Sequence, residues 1–402
     1  MRAFLTEVAV HDQVGRRIAY WREHRGLTQA ELGRLMGQSR RWVQDLEGGH
    51  RQTDPRLSVL LRAAVALRVP LARLMADEPA NAEPTPPPEV SALADVLVTP
   101  IPDGEGVQVT ALEKRITYCC QAWAAGHYTA VARELTAVLP VAHRTAETTS
   151  AAAVLLSRAY QLSASLLFKF GAATRTPAVL AADRALAAAQ QAGDAVAMGA
   201  AARRVTRGLI HQRRYAAAVG YATDTATTLR PDLERHGPAG LSTLGMLYLV
   251  AAVAATGDGR SQHAISTATE QLETAREVAL IDERSGDFTE FGLTNVQLHE
   301  ADVLLRLDDA WSALETARKI EPQAVRKLSR ERQSRFLITT ARAAALTRRR
   351  EDAIRDLLNA ERLAPEELRR PDVLRLVAEL LELVPTPSAK LTGLARRCGL
   401  QT

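Results

Sequence analysis

Between residues 27 and 47 the chain sets out side chains suited to capping helices and to reading nucleic acid. Thr28 stands three residues before Glu31. That is the spacing of a capping box, in which hydroxyl and carboxylate each satisfy a free N–H at a helix start. Gly37 then supplies a turn, and Ser39 can cap a second helix from Arg40 to Glu47. This second helix opens with Arg40, Arg41 and Trp42, and Gln44 and Asp45 follow one turn later. A guanidinium can bridge O6 and N7 of guanine with two parallel hydrogen bonds. Backbone N–H groups at a helix start favour phosphate. On the opposite side Val43 and Leu46 are expected to face inward and pack on Leu32 and Leu35.

Further elements must hold that pair. A helix is expected from Gln13 to His24, ended by Gly26. Gly48 and Gly49 should stop the third helix, a fourth should start near Asp54–Pro55, and a fifth should span Leu71–Met75. This five-helix arrangement resembles the Xre/Cro helix-turn-helix family. The matching residues are Leu27-Thr28-Gln29-Ala30-Glu31-Leu32, then Gly37-Gln38-Ser39-Arg40, then Val43, Leu46-Glu47, Gly49 and Pro55. Trp42 departs from the Ser or Thr of many members. The resemblance implies a lambda-repressor-like head whose third helix enters the major groove by its N-terminal end. Thr28, Gln29, Ser39, Arg40, Arg41, Trp42, Gln44 and Asp45 would then face DNA, with Gln29 on a phosphate. Trp42 would touch a thymine methyl or sugar, or else pack on the head. Glu47 would pair with a basic group on helix one. Such heads read inverted-repeat operators as dimers.

Proline marks the main boundary. Seven of the 18 prolines lie between Pro79 and Pro102, in a stretch with acids but no Lys or Arg. The chain therefore divides into a basic head, 1–77, a Pro-rich acidic linker, 78–105, expected to be an extended spacer, and a body, 106–402. Apolar positions in the body recur at helical spacing, as in Leu155, Ala159, Leu162 and Leu166. Aromatics are only 4% of the chain, so its cores must be built from Ala, Leu and Val, which suits close-packed helices. The fold class expected is all-α.

Corners also recur. Gly126-His-Tyr128-Thr-Ala-Val131, Arg213-Arg-Tyr215-Ala-Ala-Ala218, Asp309-Ala-Trp311-Ser-Ala-Leu314 and Arg350-Glu-Asp-Ala353 each read as a helix–turn–helix corner. Similar corners lie near Thr176–Ala182 and Gly259–Ile265. With Ala360 and Pro365 closing the fourth, the body resembles the tetratricopeptide repeat family. Most units exceed that family's roughly 34-residue period. Stacked helix pairs of this kind form a curved α-solenoid with a concave surface. The stretch 237–257 lacks charge for 21 residues but holds Pro238 and four glycines. It is read as a buried helix, not a membrane span.

A DNA-binding head on a helical stack resembles, in architecture, the RRNPP group of peptide-responsive bacterial regulators. That resemblance implies a homodimer whose groove takes a signalling peptide or small molecule. Polar side chains sharing one helix face mark the candidate groove. They are Arg203 with Arg207, Asn295 with His299 and Asp302, and Arg335 with Thr339 and Arg342. An Asn amide can both donate to and accept from a peptide backbone, and Arg can clamp a carboxylate. The bland alternative for each cluster is a solvated face or an inter-helix bond. A second reading makes the body a scaffold controlled by a docked protein partner.

Enzyme chemistry finds no foothold. His299-Glu300 lacks the second histidine of a zinc helix, and there is no C-x-x-C, no P-loop and no G-x-S-x-G elbow. Neither a metal nor another cofactor is expected. Cys119, Cys120 and Cys398 form no disulfide framework, and the charged N-terminus has no long apolar run. A cytoplasmic location is therefore expected. The net charge of +5 permits a nucleic acid partner.

Overall fold

The computed structural model describes residues 14–15, 17–23, 25–48, 55–69, 71–75, 85–282, 284–383 and 387–400. Gln13, His24, Gly49, Asp54 and 78–84 of the expected spacer lie outside the described residues. The chain forms two compact units, residues 1–84 with 382–385, and residues 85–381 with 386–402. No strand occurs among the described residues, and the fold is all-α.

The head contains α1 (17–23), α2 (Gln29–Met36), α3 (Arg40–Glu47), α4 (Leu57–Leu67) and α5 (Leu71–Met75). Its core joins Ile18 and Trp21 to Leu32, Met36, Val43 and Leu46, with Leu60, Ala63, Leu67 and Leu74 beneath. Leu35 does not join it and is 60% exposed. At about 100° per residue, the face shared by Leu32, Gly33 and Met36 leaves Leu35 roughly a quarter-turn outside. The fourth helix starts at Leu57, with Arg56 at its cap making no side-chain bond.

The expected spacer ends at Pro88. Helix α6 (Pro88–Val98) begins there, because proline suits the first helical position. Val90, Leu93, Ala94 and Leu97 fall on one face and are buried in the body's core. The body thus starts before 106, and α6 lies against α8 and α10.

From α7 onward the body is a row of helix pairs. These are α7 (Val109–Ala125) with α8 (Tyr128–Ala146), α9 (Ser150–Leu167) with α10 (Arg175–Ala192), and α11 (Ala195–His211) with α12 (Tyr215–Arg235). Next come α13 (Gly237–Ala255) with α14 (Gln262–Ile281), and α15 (Leu293–Arg306) with α16 (Ala310–Lys319). After the short α17 (Pro322–Arg326), α18 (Arg330–Leu346) pairs with α19 (Arg350–Leu363). A 3-10 turn (Pro365–Arg369), α20 (Pro371–Leu383) and α21 (Ala389–Arg397) follow.

Four of the six pairs share one corner. Gly126, Arg213, Asp308 and Arg348 adopt left-handed φ values of 79°, 59°, 58° and 64°, and a new helix starts two residues after each. The residue following each one donates its N–H back across the turn, as His127 does to Ala122, Arg214 to Leu209, Asp309 to Leu304 and Arg349 to Ala344. This is a Schellman cap used as a hinge between helices. The other two pairs turn through 3-10 segments at Ala172–Thr174 and Thr256–Asp258.

The first helix of each pair packs on the first helix of the next, along α7, α9, α11, α13, α15 and α18. Helix α13 touches α11, α12, α14 and α15, so it has no solvent face on which to place charge. It is long and apolar enough to cross a bilayer, yet 72% of its most apolar window is buried inside the body.

The row closes on itself. Helix α18 packs on α7, the Tyr128 hydroxyl donates to Glu367, and Glu366 takes hydrogen bonds from the Thr129 N–H and hydroxyl. At Gly126 a Cβ would stand 2.5 Å from that of Ala364, so only glycine fits both the left-handed turn and this contact. The expected open concave surface is therefore an enclosed interior, because the first and last pairs meet.

Candidate nucleic-acid interface and the body interior

Helix α2 starts with the expected capping box. The Thr28 hydroxyl accepts from Glu31 N–H at 3.2 Å, and the Glu31 carboxylate accepts from Thr28 N–H at 2.7 Å. These bonds hold the Glu31 carboxyl below its ordinary value. Gly37 ends the helix at φ 67°. Gly33 lies so close to the turn that a Cβ there would meet the Gln38 carbonyl at 2.7 Å. That clearance lets only three residues separate α2 from α3. The Ser39 hydroxyl caps α3 by accepting from Trp42 N–H at 3.1 Å.

Helix α3 divides by face. Val43, Leu46 and Glu47 are buried, whereas Ser39, Arg40, Arg41 and Gln44 are exposed. Trp42 and Asp45 are half-buried, and Trp42 packs against the head's core. Of its two expected roles, that contact favours packing. Arg40 and Arg41 form no ion pair or hydrogen bond among the described residues. Their guanidinium groups stand free at the N-terminal end of the helix.

Glu47 anchors the helix from behind. Its carboxylate accepts from Arg22 Nε at 2.5 Å and from Arg22 Nη2 at 3.0 Å. The charge on Arg22 is correspondingly stabilised by its bonds to Glu47, against burial. Arg22 also donates to the Leu27 carbonyl at 2.9 Å, fixing the segment before α2. The Gln29 amide donates to Glu47 at 2.9 Å. One Gln29 amide proton is thus committed inside the head, and its other proton and backbone N–H remain for a phosphate.

Inside the body, the polar clusters of α11, α15 and α18 converge. Arg332 Nε donates to Asn295 Oδ1 at 2.7 Å, and Arg332 Nη2 lies 3.0 Å from His299 Nδ1. His299 Nδ1 also lies 2.8 Å from the Asn295 carbonyl. It can accept from Arg332 or donate to that carbonyl, not both. Burial and Arg332 keep the His299 pKa well below its usual value, so the ring is neutral. Asn295 is only 2% exposed and its oxygen is taken by Arg332, so it ties α15 to α18.

Asp302 pairs with Arg306 at 2.8 Å. Arg342 meets Asp372 at 3.4 Å, and the Thr339 hydroxyl donates to the Arg335 carbonyl one turn back. Arg203 and Arg207 have no ion-pair or hydrogen-bond partner among the described residues. Burial, with Arg335, Arg203, Arg370 and Arg306 nearby, pulls the Arg207 pKa down to about 9. Burial also lowers Arg203, to about 10. Arg207 nonetheless keeps more than a third of its surface open.

Sequence reasoning missed the floor of this interior. Lys169 donates to Glu331 at 2.9 Å and also to Glu367, and sits 4.9 Å and 4.7 Å over the rings of Trp123 and Tyr128. Burial alone would raise the Glu367 carboxyl, but Lys169, Arg370 and Arg335 hold it well below its usual value. One signal was present. Lys169 is one of only five lysines in the chain, and it interrupts the apolar run Leu166-Leu167-Phe168-Lys169-Phe170. Arg158 pairs with Asp287 from the long loop before α15, a contact no local pattern reports. Cys119 and Cys120 are buried, and burial pushes the Cys119 thiol up to about 12, which suits packing and not reactivity.

Among known families, residues 13–76 match the model described as a helix-turn-helix domain. No curated protein matches the chain. The matched span covers the whole capped α2–α3 pair and its supporting helices, so the chain carries an N-terminal helix-turn-helix domain of the DNA-binding kind.

Proposed function

We propose that this protein is a sequence-specific transcriptional regulator of the Xre/Cro type, not an enzyme, that binds DNA as a homodimer in the cytoplasm. The observation that carries this reading is the outer face of α3. It presents Ser39, Arg40, Arg41 and Gln44 to solvent, with both guanidinium groups free of partners among the described residues. In a helix-turn-helix such an N-terminal end enters the major groove. The paired helices of the body support a tetratricopeptide-like receiver for a small molecule or peptide signal. Its unpartnered arginines favour a ligand over the second reading, in which a protein partner docks. A ligand held inside the body would act by favouring one of two body conformations with different operator affinity.

The test is to incubate the purified full chain with sheared DNA of its own genome at near-physiological salt and to sequence what it retains. An enriched inverted repeat, with half-sites about one helical turn apart, is expected. Retention without a shared motif would overturn the regulator reading.

A further inference from the structure

Four guanidinium groups in the body interior have no carboxylate of their own. Arg204 donates to the Ser165 hydroxyl and the Ala200 carbonyl, and Arg332 uses Asn295 and His299. Arg203 and Arg207 have no such partner among the described residues. The acids of this interior are already engaged. Asp287 holds Arg158, Asp302 holds Arg306, Asp372 lies beside Arg342 and Arg370, and Glu331 and Glu367 share Lys169. Positive charge is therefore in excess around Arg203 and Arg207, and Arg207 is exposed to solvent.

Arg203 and Arg207 stand one turn apart on the inner face of α11, so their guanidinium groups project side by side. Burial is the main cause of the lowered pKa values of both arginines; Arg335 lowers both, Arg158 adds to it at Arg203, and Arg203 adds to it at Arg207. Asp287 and Glu331 offset part of this at Arg203 from a distance, but no acid among the described residues pairs with either arginine. An anion would.

We propose that the Arg203–Arg207 face of α11 binds an oxyanion of at least two negative charges, bearing carboxylate or phosphate groups. Guanidinium forks match both groups bidentately. Arg335, already leaning on Glu331 at 3.6 Å, supplies further positive potential from α18. His211, on the same face one turn beyond Arg207, is neutral, so the charged end of a ligand is held by arginine alone. The site rests on the sensing role above only for its meaning, since the binding chemistry stands without DNA.

The experiment titrates the full chain, without DNA and at low ionic strength, with citrate, inorganic phosphate, and a six-alanine peptide in free-acid and C-terminally amidated forms. Calorimetry reads affinity, and thermal unfolding reads the shift. Wild type is expected to bind citrate or phosphate, and Arg203→Gln and Arg207→Gln each to weaken binding at least tenfold. Arg207→Gln is also expected to raise the melting temperature without ligand, because repulsion is relieved. That keeps loss of binding distinct from misfolding. Preference for the free-acid peptide over its amide would assign the site to a peptide C-terminus. Citrate or phosphate binding alone would assign it to a free small anion. Equal affinity in wild type and both variants, or no binding of any probe, would overturn the proposal. Anion binding with unchanged operator affinity would leave the site standing and remove the sensing role.

Discussion

Arg41 and Glu47 lie six residues apart on α3 and are exposed and buried respectively, so their substitutions should fail in different ways. Arg41 is exposed and partnerless among the described residues, so its replacement leaves no buried group stranded. Arg41→Ala should leave the head's stability nearly unchanged. It should cost about 1–3 kcal/mol against the preferred base and relax selectivity at one base pair. Competition titrations against singly substituted operators check this, and an unchanged base preference would remove Arg41 from the readout. Glu47 is buried against Arg22 and Gln29. Glu47→Ala would leave the buried Arg22 guanidinium only the exposed Glu23 carboxylate and the Leu27 carbonyl, a cost of up to about 3–5 kcal/mol. In a head this small that approaches its whole stability. Hydrogen exchange on residues 17–47 should show loss of protection there, with the body unaffected. The resemblance to the Xre/Cro family already implied a basic partner for Glu47 on the first helix. It did not reveal that Gln29 shares the carboxylate, since no spacing rule links residues on two helices.

At the level of elements, corners and caps were the legible part. Gly126 and the capping residues Thr28 and Ser39 announce themselves, because few residue types can do those tasks. Arg213 and Arg348 occupy the same left-handed position with no propensity for it, and Asp308 with only the modest one of a short polar side chain. Only their place before a small-residue run marked the turn. A non-glycine residue there costs about 1–2 kcal/mol, while glycine costs about 0.5–1 kcal/mol more in chain entropy. Backbone strain outweighs chain entropy, so Arg213→Gly, which removes an exposed side chain, should stabilise the body by up to about 1 kcal/mol, read as a higher urea midpoint at unchanged slope. An unchanged or lower midpoint would count against strain at this corner. Helix α6 was hidden for the opposite reason. Prolines and acids dominate its surroundings and mask the i, i+3, i+4, i+7 run of Val90, Leu93, Ala94 and Leu97. Since Leu93 is fully buried, Leu93→Ala should cost the body about 2–5 kcal/mol. If 78–105 were only a spacer, that substitution would cost almost nothing.

Taken as whole units, the body is the part whose stability should respond to mild acid. Its interior holds two neutral imidazoles. Burial first, then Arg207, Arg175, Arg306 and Arg370, pull His211 from 6.5 down to about 4. His299 is lowered in the same direction by burial and Arg332. Both rings take up protons more readily in the unfolded chain than in the fold. Their contribution is therefore present above pH 6.5 and is lost as the pH falls from there towards 4. The interior carboxylates act lower. Asp302, Glu331 and Glu367 are held below their ordinary values, so they stay ionised across that window and lose their contribution only beneath it. The histidines thus set the first descent. His211 stacks on Phe168 with ring centroids 4.7 Å apart and planes within 3°, so phenylalanine can replace it without losing the packing. Melting temperature measured from about pH 7 to about pH 4 should fall in wild type and fall less steeply in His211→Phe. Equal slopes would mean that His211 has the same pKa in the fold as in the unfolded chain, so that its protonation does not affect folding. The depression itself comes from burial and from the positive charge of the neighbouring arginines. An oxyanion that neutralises that charge should favour protonation of His211 and shallow the wild-type descent, so the same pH series with citrate present joins the two tests.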